Sequence, residues 1–80
     1  MLNQQELRAA RKLYKKLGLD VSDMETDCKY DYLMRHKGHD GNTYLWYEDI
    51  LIGGMICLES GKMLTYLDNK YDRAIDALFL

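Results

Sequence analysis

The sequence predicts an α+β fold: an N-terminal helix, an antiparallel sheet of three to four strands, and a C-terminal helix packed on one sheet face. Two observations lead there. Apolar residues recur at helical spacing at both ends of the chain, in Leu7, Ala10, Leu13, Tyr14 and Leu17 and again in Tyr71, Ala74, Ile75, Leu78 and Phe79. Between these stripes lie β-prone runs separated by clusters of turn formers. With 80 residues and no internal repeat, a single compact domain, 1–80, is expected, with both helices covering the same face of the sheet.

The first helix carries the strongest local signals. Asn3 followed by Glu6 is a capping-box pattern, and Leu2 and Leu7 occupy the positions of a hydrophobic staple around it. Gly18 supplies a left-handed cap residue and Leu19 the apolar contact beyond it, so the helix should span about residues 4–17. Arg8, Arg11, Lys12 and Lys15 cluster on the face opposite the apolar stripe.

Ser22 with Glu25 gives a second capping-box signal, but no apolar stripe continues it, so only a short helical turn over residues 23–28 follows. From Lys29 the pattern changes to period two. Tyr30, Tyr32, Met34 and His36 fall on one side of a strand, and Asp31, Leu33, Arg35 and Lys37 on the other. A helix over residues 22–36 ending at Gly38 competes with this reading, and the two tyrosines favour the strand. The turn formers Gly38, Asp40, Gly41 and Asn42 lead into Thr43, Tyr44, Leu45, Trp46 and Tyr47, which makes a hairpin. A third strand should run over residues 55–58, set off by a kink at Gly53-Gly54. Glu59 to Lys62 then turns the chain into residues 63–67. The closing helix starts near Tyr71, with Asp68 or Asn69 placed to cap it.

Composition narrows the functional classes. The first six residues lack the basic cluster and apolar stretch of a signal peptide, and Cys28 and Cys57 are too few for a disulfide framework. Both point to a reducing, cytoplasmic setting with buried thiols. The longest uncharged run, residues 50–58, is far shorter than the ~20 apolar residues of a bilayer span, so no membrane partner is expected. The net charge of −2 is uneven. Five basic groups stand among the first 20 residues against Glu6 and Asp20, so the acidic surplus lies in the rest of the chain.

Catalytic chemistry finds little support. His36, His39, Asp40 and Cys28 could offer zinc ligands, but His-x-x-His stands without the second pair a structural site uses, and no metal or cofactor is expected. A cysteine nucleophile needs a base and an orienting group beside it, an arrangement nothing in the spacing supplies. Glu48 and Asp49 are neighbours on a strand end, where successive side chains point apart, so they read as strand end and turn. The chain is not expected to be an enzyme.

Two surfaces remain as candidates for binding. Seven tyrosines and one tryptophan stand against a single phenylalanine, and these rings suit interfaces where one end is packed and the other wet. Tyr30, Tyr32, Tyr44, Trp46 and Tyr47 fall on the first predicted hairpin, and with helices on one sheet face part of this set should be bare. The expectation is a small regulator or inhibitor that occupies a surface of another protein through this set, or through the acidic segment 20–31. Self-association as a homodimer is also expected, because so short a chain gains burial from a partner subunit. Small size, acidity and absent catalytic motifs resemble phage-encoded inhibitors of host systems in type, a resemblance that covers no motif. The alternative is a nucleic-acid-associated regulator that contacts phosphates through Arg8, Arg11, Lys12 and Lys15.

Overall fold

A computed structural model describes residues 2–80. The chain forms α1 (Gln4–Leu17), a 3-10 turn (Val21–Asp23), α2 (Met24–Lys29), β1 (Leu33–Lys37), β2 (Thr43–Glu48), β3 (Gly53–Cys57), β4 (Met63–Thr65) and α3 (Tyr71–Phe79). The strands make one antiparallel sheet in the order β1-β2-β3-β4, each pairing with its neighbour in sequence. The α+β class and the terminal helices are as the sequence predicts.

Helix α1 forms where its caps place it. The Asn3 side chain accepts from Glu6 N at 2.8 Å and Glu6 Oε1 accepts from Asn3 N at 2.9 Å, closing the box. At the other end Gly18, at φ 74°, lets Leu19 N reach back to Tyr14 O at 2.8 Å.

The two long helices take opposite faces of the sheet, which corrects the expectation that both cover one. Ala10, Leu13 and Tyr14 of α1 pack with Met24, Leu33, Leu45, Tyr47 and Ile56. On the other side Tyr71 packs with Tyr44, Met55 and Cys57, joined by the half-buried Trp46, Ile75, Leu78 and Phe79. The cause lies in the central strands. All five residues of β3 are buried, and β2 sends Leu45 and Tyr47 to one side and Tyr44 and Trp46 to the other, so both faces need a cover. Burial of Leu13, Leu45 and Ile56 contributes roughly 1.5–3 kcal/mol each.

Three local expectations are corrected. Gly53 and Gly54 lie within β3, opposite Glu48 and Tyr47, and make no kink. They are there for close approach: a Cβ on Gly53 would stand 2.5 Å from the Tyr71 hydroxyl, and one on Gly54 would stand 3.1 Å from a Leu17 methyl. The Ser22–Glu25 box does not form, and Asp20 Oδ1 instead accepts from Ser22 N at 2.9 Å. Asp68 spends its carboxylate on Thr65 N at 2.7 Å, and α3 starts without a side-chain cap.

A further correction concerns the segment ahead of β1. The strand expected from Lys29 begins only at Leu33, because α2 closes first with a Schellman cap. Tyr32 N donates to Asp27 O at 2.8 Å and Asp31 N to Cys28 O at 3.3 Å, around Asp31 at φ 64°. Asp31 holds the left-handed place that glycine usually fills, so residues 30–32 belong to a helix cap and not to a strand.

Candidate functional site

The five aromatic residues singled out in the sequence do not share a face. Tyr47 points into the α1 side, edge-on to Tyr14 with centroids 5.5 Å apart, and its hydroxyl donates to Asp49 Oδ2 at 2.7 Å. Tyr44 is buried on the α3 side, where its hydroxyl donates to Asp40 Oδ2 at 2.5 Å and its ring stands edge-on to Phe79. Burial, with the Asp40 hydrogen bond second, pushes the Tyr44 hydroxyl up to about 12. Burial and Asp49 likewise raise Tyr47. These two rings are structural.

Tyr30, Tyr32 and Trp46 remain accessible, on the side of the sheet where α3 packs or beyond its margin. Tyr30 is 63% and Tyr32 47% exposed, and both sit in the α2 cap. Lys29 Nζ lies 5.8 Å from the Tyr30 ring centroid. Trp46 is half-buried, stacked on Phe79 at 5.1 Å with 17° between the planes, and His36 meets its edge at 5.2 Å. β1 is a margin of the sheet, paired only with β2.

Asp31, Tyr32, Met34, His36, Trp46 and Glu48 line a recess of about 200 Å³ beside that margin. Its walls come from three places. The α2 cap fixes Asp31 and Tyr32, period-two alternation on β1 turns Met34 and His36 inward, and β2 does the same with Trp46 and Glu48. The Tyr32 carbonyl accepts from Glu48 N at 3.0 Å, which ties cap to strand. Trp46 Nε1 donates to the Tyr71 hydroxyl at 2.8 Å, and that hydroxyl donates in turn to Glu48 Oε1 at 3.3 Å. One hydroxyl therefore orients both the indole and the carboxylate.

Two larger depressions, of about 700 and 540 Å³, lie between α1 and α2 and along β3 beside α3, and neither contains an exposed aromatic ring. The groups considered for chemistry are engaged in packing. His36 packs against both Trp46 and Phe79, His39 Nε2 lies 3.1 Å from Leu80 O, and burial raises the Cys28 thiol. Both cysteines are free, and Cys57 is buried. Among the described residues no group of three or more His, Cys, Asp or Glu is placed to hold a metal, and no helix is long and apolar enough to cross a membrane.

Arg8, Arg11, Lys12 and Lys15 all lie exposed along one side of α1. The sequence offers Asp31 only as the end of the acidic segment 20–31, apart from the aromatic set, and gives no sign of Glu48 and Tyr71 as members of a site. Period two alone places Glu48 on the face of Trp46, but nothing local reveals the hydroxyl from α3 that joins them. No protein-family model, no curated protein and no solved structure matches the chain.

Proposed function

We propose that this protein is a non-enzymatic regulator that acts by occupying a surface of another protein, and that it does so with the margin of the sheet around β1. The observation that carries this reading is the accessible set Tyr30, Tyr32, Met34 and Trp46 beside a strand with only one neighbour. Trp46 is held by its hydrogen bond and by stacking, and Tyr30 and Tyr32 stand on a capped backbone, so contact area is offered at little backbone ordering cost. Affinity capture with the parent chain and with the Tyr30→Ser/Tyr32→Ser double variant tests it. Both side chains are exposed, so the variant should fold. A protein retained by the parent and lost by the variant supports the reading, and an identical retained set overturns it.

A second copy of the chain is one such partner. Ile50 and Leu51 in the β2–β3 turn and Leu67 after β4 stand almost fully exposed at one end of the sheet. Sedimentation over a range of concentrations tests self-association, and a monomer mass throughout excludes it.

The exposed cations of α1 favour a second reading, contact with nucleic-acid phosphates. Steep loss of binding with added salt, and its abolition in Arg11→Gln/Lys15→Gln, would carry it. Indifference to salt would remove it.

A further inference from the structure

Charge, ring chemistry and size agree on what the recess beside β1 accepts. Two carboxylates, Asp31 and Glu48, stand in its wall, and among the described residues neither forms an ion pair. The basic residue of β1 nearest in sequence, Arg35, is turned to the other face and committed to Glu6. Tyr32 and Trp46 add ring surface, whose negative faces attract a cation and repel an anion. At about 200 Å³ the space falls below the ~300–1,000 Å³ of pockets that enclose a whole small molecule, and it suits one extended side chain.

We infer that the recess receives the charged head of one arginine or lysine presented by the partner protein. This rests on the reading that the β1 margin meets a protein. The guanidinium or ammonium lies against the ring surface of Trp46 and Tyr32 and between the carboxylates, and its aliphatic stem passes Met34. Glu48 is ready for this role before the partner arrives. Its oxygen takes the Tyr71 hydroxyl, which keeps it at Trp46, and it retains free lone pairs for a donor. The cap fixes the backbone of Asp31, and its exposed carboxylate extends from there. Arginine suits the geometry better than lysine, because a planar fork stacks on a ring and bonds a carboxylate at once.

Trp46 is the only tryptophan, so its indole N–H gives one NMR resonance inside the site. The test titrates the full chain with three blocked tripeptides, Ala-Arg-Ala, Ala-Lys-Ala and Ala-norleucine-Ala, following that resonance and those of Tyr32. The two cationic peptides should move them saturably and the neutral one should not. Asp31→Asn, which tolerates the left-handed backbone, and Glu48→Gln should each weaken binding about fivefold. Equal shifts with the norleucine peptide, or unchanged affinity in both variants, overturn the inference. Its failure is separable from that of the protein-binding reading. A captured partner lost by Tyr30→Ser/Tyr32→Ser but held equally by Asp31→Asn and Glu48→Gln leaves that reading intact and removes the cation.

Discussion

Trp46 and Glu48, on the same face of β2, are joined through a single hydroxyl, that of Tyr71, which accepts from the indole at 2.8 Å and donates to the carboxylate at 3.3 Å. Tyr71→Phe keeps the ring and removes the joint. It should cost about 1 kcal/mol of stability and shift Trp46 emission, because the indole N–H must turn to water. Denaturant midpoints and fluorescence measure both. An unchanged midpoint with unchanged emission would mean the hydroxyl orients nothing.

Glu6 serves α1 and β1 together. Its buried carboxylate closes the capping box and receives Arg35 Nε and, at 2.8 Å, Arg35 Nη2. The Arg35 hydrogen bond, more than the Asn3 N–H, holds the Glu6 carboxyl below its usual 4.5, against the opposing pull of burial. A depressed folded value stabilises the protein at every pH above 4.5, and the contribution is lost as pH falls through the folded value. Glu6→Gln should therefore lie about 2 kcal/mol below the parent at neutral pH, with the gap closing in acid. Denaturation at a series of pH values reads it, and a gap independent of pH would contradict the ion pair.

The tandem glycines of β3 answer to different helices. Gly53→Ala drives a methyl toward the Tyr71 hydroxyl, and Gly54→Ala drives one toward Leu13 and Leu17 of α1, where 3.1–3.2 Å leaves room for a small adjustment. Costs of about 2 and about 1 kcal/mol are expected. Only Gly53→Ala should disturb Trp46 emission, since Gly54 faces the other side of the sheet. A reversal of that pattern would mean the faces are wrongly assigned.

In alkali, Tyr44 and Tyr71, both pushed up to about 12, and Tyr14 and Tyr47, raised as well, should keep their protons after the unfolded chain would lose its own near 10. Burial is the first cause in each. The unfolded state binds fewer protons in this range, so stability falls as pH rises from 10 toward 12. Phenolate absorbance from these four of the seven tyrosines should appear only together with loss of the circular dichroism of the fold. Complete ionisation with the dichroism intact would contradict their burial.

What was legible in the sequence is what depends on near neighbours. Asn3, Glu6 and Gly18 specify α1 to the residue because their partners lie within one turn. Gly53 and Gly54 mislead for the opposite reason: the groups that require them, Leu17 and Tyr71, are remote in sequence. Residues 30–32 look like strand in the sequence because a cap built on aspartate lacks the glycine signature. Within the site, Tyr32 and Trp46 are visible as aromatic surplus. Asp31 and Glu48 look like ordinary solvated acids until the cap and the α3 hydroxyl place them beside those rings.

The left-handed backbone at Asp31 sets the demands of the fold against those of the proposed cation recognition. An L-residue with a Cβ in this conformation costs roughly 1 kcal/mol, which glycine avoids, so Asp31→Gly should raise the denaturant midpoint while deleting one of the two carboxylates of the recess. At this position a screen for thermal tolerance and a screen for partner binding would therefore select different residues. Variants chosen for robustness alone would drift toward a sturdier protein with a weaker grip.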